Sequence, residues 1–229
     1  MRKLILFDID GTLLSTRGAA RRAFERAMLE VYGTAGPIAT HAFDGKTDPQ
    51  IARELLTCEG LDEADIDAGL PALWSDYLRE LELELARPDH STDIMPGVEE
   101  LLAALETESS VLTGLLTGNI ERGAALKVLS AGLPQFRFGA FGSDCERRDG
   151  LPPIAVDRAR ALCGVAFSGR EIIVIGDTPA DVRCGQALGV HAIAVATGRH
   201  DPHELRRAGA DAVLEDLSAT SEVLHLLLG

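Results

Sequence analysis

Three short apolar runs of the sequence end in polar residues whose types could carry out catalysis. The first ends at Asp8 with Asp10 beyond it, the second at Thr117-Gly118-Asn119, and the third at Gly176-Asp177-Thr178. Carboxylates can act as nucleophiles, as proton donors and acceptors, or as ligands of a hard cation. A hydroxyl beside backbone amides can hold an oxyanion. If the three run ends meet in space, the sequence predicts one reactive site.

The apolar runs themselves predict buried strands of a parallel sheet, because they are rich in Val, Ile and Leu and do not alternate strictly with polar residues. These runs are 4–9, 111–117, 172–175 and 192–196, and patterns with helical spacing follow at 98–107, 120–131, 154–163 and 180–188. Two shorter runs, 138–141 and 212–214, are candidates for edge strands. Ligands of an open parallel sheet bind outside the carboxyl ends of its strands, so the polar run ends should converge there.

One interval interrupts the alternation of strands and helices. Between residues 15 and 91 there is no convincing strand, and the periodicity predicts helices at 17–32, 49–58 and 63–86. An insert of this length with its own helical pattern indicates a subdomain. We therefore predict an α/β core domain over 1–14 and 92–229, with an inserted helical domain over 15–91.

The charge of the chain restricts its partners. Its formal net charge of −14 argues against nucleic acids and anionic membrane surfaces, because both require clustered Lys and Arg. No apolar run approaches the roughly 18 residues that a membrane span needs. The start of the chain turns polar too early for a signal peptide, and the four cysteines show no C-x-x-C pair, which predicts reduced thiols. We expect a cytoplasmic protein that is a monomer or a homodimer.

The polar run ends and their flanking segments resemble the motifs of the haloacid dehalogenase (HAD) superfamily. The resemblance rests, in chain order, on Asp8-Ile9-Asp10-Gly11-Thr12, Leu115-Leu116-Thr117-Gly118-Asn119 and Gly176-Asp177-Thr178-Pro179-Ala180-Asp181-Val182. The helical insert after the first motif is similar to the cap of the phosphoglycolate-phosphatase-like branch. The resemblance covers the whole chain. It implies a Rossmann-like core, an α-helical cap and Mg²⁺-dependent hydrolysis of a small phosphorylated metabolite.

The resemblance assigns the chemistry to particular carboxylates. Asp8 would attack phosphorus and form an aspartyl-phosphate, while Asp10 would protonate the leaving oxygen and later take a proton from water. The Asp8 carboxylate, the Asp10 backbone carbonyl and Asp177 would ligate Mg²⁺, and Asp181 would bind it directly or through a water. The cation would offset the repulsion between these acids and the phosphate.

The resemblance also assigns the contacts to the substrate. The Thr117 hydroxyl and the amides of Gly118 and Asn119 would hold the phosphoryl oxygens where a helix begins. The turn at 43–48 resembles the substrate-specificity loop of capped phosphatases. Lys46 in this turn would either bind the organic part of the substrate, such as a carboxylate, or be an ordinary surface lysine.

One motif departs from the pattern of the family, which usually has a lysine ahead of a proline before the helix that leads to the last motif. The chain has three lysines, of which Lys3 lies at the far end of the first strand. Lys127 lies two turns into the helix after the second motif, where we expect it to face solvent. The segment in the matching position is 146–153, Glu-Arg-Arg-Asp-Gly-Leu-Pro-Pro. We predict that Arg148 bridges the nucleophile and the phosphate, with Arg147 as the second choice.

Three other activities stay open at this point. Dehalogenation of 2-haloacids needs an aspartate nucleophile but neither Mg²⁺ nor an acid two residues later, so Asp10 favours a phosphatase. A phosphomutase also uses this acid. A catalytically silent phosphate-binding relative would be expected to have lost Asp8 or Asp10, and both are present.

Overall fold

A parallel sheet forms the centre of the molecule in the computed structural model, which describes residues 2–229. In chain order the strands are β1 (Lys3–Phe7), β2 (Leu14–Ser15), β3 (Asp93–Ile94), β4 (Val111–Leu116), β5 (Gly139–Ala140), β6 (Ile172–Gly176), β7 (His191–Val195) and β8 (Ala212–Leu214). Within the described residues, six strands form one sheet in the order β5-β4-β1-β6-β7-β8, and β2 pairs antiparallel with β3. The predicted parallel α/β sheet is confirmed.

Helices pack on both faces of this sheet and also fill the interval between β2 and β3. They are α1 (Ala19–Tyr32), α2 (Asp48–Cys58), α3 (Glu63–Leu85), α4 (Val98–Thr107), α5 (Glu121–Ser130), α6 (Leu151–Cys163), α7 (Pro179–Leu188), α8 (Pro202–Arg207) and α9 (Thr220–Leu228). The helix predicted to start at 154 begins at Leu151, because Pro152 and Pro153 fit a first turn, where their missing N–H groups are not needed. Across residues 2–229, none of the helices combines the length and apolar character that crossing a membrane requires.

The side chains of β1 alternate between two apolar layers. Ile5 and Phe7 pack in one layer with side chains of α4, α5 and α9, whereas Leu4 and Leu6 pack in the other layer with side chains of α6 and α7. Both faces of the strand are therefore buried, which explains its continuous apolar sequence.

The register of the sheet brings three strand ends together. Phe7 at the end of β1 is paired with Leu115 of β4 on one side and with Ile175 of β6 on the other. The polar residues that follow these strands therefore leave the sheet at the same edge, where a ligand site of an open parallel sheet is expected.

The helices α1, α2 and α3 form a unit with its own apolar core. Phe24 of α1, Leu55 of α2 and Tyr77 of α3 are buried in this cluster, together with Ile120 from the loop after β4. The unit is joined to the sheet through the ribbon of β2 and β3. We take it to be the cap domain over 15–91, and this division of the chain is a proposal.

Candidate active site

Asp8 stands at the end of β1, directly before a tight turn. Its backbone N–H donates to the Ile175 carbonyl (2.9 Å), and its side chain is buried. Gly11 closes the turn with φ of +85°, and a Cβ there would lie 2.4 Å from Asp177 Oδ2. Only glycine meets both conditions without strain. The turn therefore carries Asp10 beyond the strand and leaves Asp8 at the sheet edge.

Asp177 and Asp181 are supplied by β6 and by the helix that follows it. The Thr12 hydroxyl donates to Asp177 Oδ1 (3.1 Å). Thr178 caps α7, and its backbone N–H and hydroxyl both donate to Asp181 Oδ2, at 3.0 and 2.7 Å. This capping box fixes the Asp181 carboxylate at the helix start, where the partial positive charge of the helix favours an anion.

The three carboxylates form a buried acidic cluster. Oxygen atoms of Asp8, Asp177 and Asp181 all lie within 4.8 Å of one another. Burial raises the pKa of Asp177 to about 9, with further contributions from the Asp181 and Asp8 charges. Burial likewise raises the pKa of Asp8 to about 6, although the Arg148 guanidinium opposes this shift. Without a metal, the site therefore disfavours the state in which Asp8 and Asp177 are both ionised.

The donor set of this cluster fits a divalent cation such as Mg²⁺. Its ligands are hard carboxylate oxygens, the type that Mg²⁺ prefers. With every group ionised, three aspartates and Arg148 carry a net charge of −2, which one divalent cation neutralises. The cradle is also narrow, since a Cβ at Gly11 would fill the space beside Asp177. The cluster could therefore bind a metal through Asp8, Asp177 and Asp181.

Arg148 is the buried cation of this cluster. Its Nη2 lies 3.2 Å from Asp8 Oδ1 and donates a hydrogen bond to Asp181 Oδ1. Its Nε is buried and has no hydrogen-bond acceptor among residues 2–229. Arg147 instead points outward with 81% of its side chain exposed, and pairs with Asp149 at 2.7 Å. Of the two candidate arginines, Arg148 is therefore the one that contacts the acidic cluster.

The loop after β4 lies on the other side of Asp8 and is tightly bonded. The buried Thr117 hydroxyl accepts hydrogen bonds from Asn119 Nδ2 (2.8 Å) and from the Asn119 backbone N–H (3.4 Å). Gly118 passes directly under the cap, because a Cβ there would be only 2.0 Å from the Lys46 carbonyl oxygen. No larger residue fits between the two backbones without moving one of them.

Lys127 contradicts the prediction that it faces solvent. Its side chain is buried, and its ammonium donates to Asp10 Oδ1 (2.8 Å), Asp10 Oδ2 (2.7 Å) and Asn119 Oδ1 (2.5 Å). The physical reason is that Lys127 shares a face of α5 with the buried residues Ala124 and Val128. The spacing of these residues could have revealed it, since positions three and four apart lie on one side of a helix.

The start of α2 joins the cap to both sides of the site. Asp48 N–H donates to the Gly118 carbonyl (2.8 Å), and Asp48 Oδ2 accepts from Ile120 N–H (2.8 Å). The Thr47 hydroxyl donates to the Glu146 carbonyl (2.5 Å). Burial raises the pKa of Asp48 to about 6, which the Lys127 charge partly opposes. Sequence reasoning missed Asp48, because its partners lie on the core and only the tertiary fold brings them close.

Lys46 lies at the rim of the site, but its ammonium already has partners. It donates to Glu54 Oε2 (2.5 Å) and lies 3.2 Å from His41 Nε2. Between cap and core is a cavity of about 350 Å³. The cavity is lined by Asp8, Asp10, Thr117 and Arg148 from the core, and by Phe24, Phe43, Lys46 and Tyr77 from the cap. The structure thus brings three of the predicted carboxylates, Asp8, Asp10 and Asp177, and the predicted substrate contacts around one small chamber, whereas Asp181 does not line it.

Known proteins share this sequence pattern and this fold. The family model for haloacid dehalogenase-like hydrolases matches residues 2–189. A phosphoglycolate phosphatase of Pseudomonas syringae pv. tomato is 28% identical over 220 residues, which is 94% of this chain and 77% of that protein. The 2-deoxyglucose-6-phosphate phosphatase 1 of Saccharomyces cerevisiae is 26% identical over 240 residues, which is 96% of this chain and 90% of that protein. The crystal structure of a hydrolase from Pseudomonas syringae superposes over both full chains with a TM-score of 0.73 at 22% identity.

Proposed function

The chain belongs to the haloacid dehalogenase-like hydrolases, and from this premise we propose that it is a Mg²⁺-dependent phosphomonoesterase that forms an aspartyl-phosphate on Asp8. One observation carries the proposal. Asp8 is buried between two other carboxylates and Arg148, at the floor of a chamber that also exposes Asp10. A buried carboxylate with a cation beside it and an acid two residues on fits nucleophilic attack on a phosphoryl group.

In the first half of the reaction, an Asp8 carboxylate oxygen forms a bond to phosphorus while the bond from phosphorus to the substrate oxygen breaks. Asp10 donates its proton to that departing oxygen, which leaves as an alcohol. Arg148, with its Nε free of protein acceptors, and the Thr117 loop hold the phosphoryl oxygens during the transfer.

In the second half, a water molecule forms a bond to phosphorus as the bond from phosphorus to Asp8 breaks. The Asp10 carboxylate, which lost its proton in the first half, takes one from this water. Phosphate is released and both carboxyl groups return to their starting forms. Asp8, Asp177 and Asp181 would hold Mg²⁺, which when bound neutralises charge on the phosphoryl group. The Asp10 carbonyl would be a further ligand.

We propose a small phosphorylated metabolite as the substrate. The chamber of about 350 Å³ is at the lower end of the range for small-molecule sites. The similar proteins named phosphoglycolate phosphatase and 2-deoxyglucose-6-phosphate phosphatase support an acid phosphate or a sugar phosphate. Lys46 would contact the organic part of this molecule from the rim of the chamber.

The test is phosphate release from a panel of metabolite phosphates, with and without Mg²⁺. We expect the wild type to need Mg²⁺ and the Asp8→Asn variant to lose at least about 10³-fold in turnover, because the amide is a poor nucleophile. Asp157→Asn is the matched control, since this aspartate is exposed on α6. Turnover by Asp8→Asn at the wild-type rate, or metal-independent turnover, would refute the mechanism.

A further inference from the structure

Two buried cations serve two neighbouring acids in this site. Arg148 Nη2 contacts Asp8 at 3.2 Å, whereas the Lys127 ammonium contacts both oxygens of Asp10 at 2.8 and 2.7 Å. Resting on the proposed function, we propose that Lys127 is a positioning residue that fixes the Asp10 carboxyl group where it meets the departing oxygen and the attacking water.

The hydrogen bonds around Lys127 leave it no freedom. An ammonium has three N–H donors, and here they reach Asp10 Oδ1, Asp10 Oδ2 and Asn119 Oδ1. Asn119 Nδ2 in turn donates to Asp10 Oδ2 (2.7 Å) and to the Thr117 hydroxyl (2.8 Å). Asp10 is thereby tied to the loop that holds the phosphoryl group, so the acid and the phosphate contacts form one rigid unit.

The burial of the Lys127 ammonium in α5 is unfavourable unless the charge has a partner. The Lys127 side chain is 5% exposed and lies between Ala124 and Val128 on the buried face of the helix. Removing an ammonium from water costs several kcal/mol, which an apolar residue in this place would avoid. The Asp10 side chain is 44% exposed, so without Lys127 it could rotate into the chamber or toward solvent. Because the Asp10 carboxylate is partly in water, it does not need Lys127 to neutralise a buried charge. The main effect of the ion pair is therefore to restrain the orientation of Asp10.

The test compares two leaving groups, because only a poor one needs the proton of Asp10. The variant is Lys127→Met, and the substrates are p-nitrophenyl phosphate and the alkyl phosphate that turns over fastest in the panel. We expect kcat/KM for the alkyl phosphate to fall about 10²-fold, the size of a general-acid contribution. For p-nitrophenyl phosphate we expect kcat/KM to change less than roughly threefold, because its leaving group needs no proton from Asp10. We expect kcat and KM to fall together, because Asp10 also assists the attack of water in the second half of the reaction.

Two further variants separate positioning from folding. Lys127→Arg keeps a cation and should recover at least about tenfold of the lost alkyl phosphatase activity. Lys3→Met removes the other buried core lysine, whose Nζ donates to the Arg170 carbonyl (3.3 Å) at the far end of β1. It should lower the thermal midpoint while changing kcat/KM for both substrates by the same small factor.

The outcomes distinguish this inference from the proposed function. Equal losses on both substrates in Lys127→Met would show a structural role and overturn the inference, while leaving the function intact. No recovery in Lys127→Arg, together with unchanged selectivity between the two leaving groups, would also overturn it. A wild type that releases phosphate from neither substrate would refute the proposed function, and the inference would fall with it.

Discussion

Replacing Gly118 by alanine tests the close passage of the cap over the loop after β4, which we propose holds the phosphoryl group. The new Cβ would lie 2.0 Å from the Lys46 carbonyl oxygen and 3.0 Å from Thr47 Cα, and neither backbone atom can rotate away. The two backbones must separate by about 1 Å or more to reach van der Waals distance. The hydrogen bond from Asp48 N–H to the Gly118 carbonyl, 2.8 Å long, would stretch with them. A misplacement of about 1 Å can cost ~10²-fold in rate, or about 2.7 kcal/mol.

The assay is steady-state phosphate release at saturating Mg²⁺, with thermal unfolding to show that the variant is folded. We expect kcat/KM for Gly118→Ala to fall about 10²-fold. Gly123→Ala is the matched control, because its Cβ would lie 3.3 Å from Ile120 Cγ1, a side-chain atom and not backbone, and alanine favours the helix α5. A kcat/KM for Gly118→Ala within roughly threefold of the wild type would refute the reasoning, since it would mean that the cap backbone yields without disturbing the site.

Two other predictions concern the buried charges. Arg148→Ala should lose at least about 10²-fold in turnover, because it removes the cation beside Asp8. Arg147→Ala should stay near wild type, because Arg147 is exposed. A large loss of turnover in Arg147→Ala would show that the wrong arginine has been assigned. The metal-free protein should lose stability as the pH rises from about 4 toward 9, because burial raises the pKa of Asp8 to about 6 and of Asp177 to about 9 and so favours the protonated folded form. Mg²⁺ should therefore raise the Tm more at pH 8 than at pH 5, and a shift that is equal at both values would contradict this.

The fold and the family could be predicted from the sequence because local patterns encode them. Apolar runs without alternation indicate strands buried on both faces, and the six-stranded parallel sheet within residues 2–229 confirms this. The polar residues at the ends of β1, β4 and β6 predicted one site, since parallel strands share a carboxyl edge. The family model confirms the predicted superfamily, and the similar proteins that are named phosphatases agree with the predicted activity.

The contacts between helices and loops could not be predicted in the same way. Lys127 was expected to face solvent from its place two turns into the helix after the second motif, yet its ammonium reaches Asp10 from the buried face of α5. Asp48 carries no local signal, because its hydrogen bonds to Gly118 and Ile120 cross from the cap to the core. The spacing within α5 indicates that Lys127 is buried but does not name its partner. The hydrogen bonds of Asp48 depend on how the cap is placed against the core, which the periodicity of one segment does not contain.

The ribbon of β2 and β3 has a consequence for how the chain folds. Leu14 pairs with Ile94 and Ser15 with Asp93, so the polypeptide leaves the core and returns to it at neighbouring positions, about 5 Å apart. Bringing β2 and β3 together in an unfolded chain closes a long loop, and the entropy cost of closure grows with the logarithm of the loop length. If α1, α2 and α3 fold first around their own apolar core, they present both ends already side by side. The sheet then assembles as if the chain ran directly from β1 to α4, with its contact order set by the core alone.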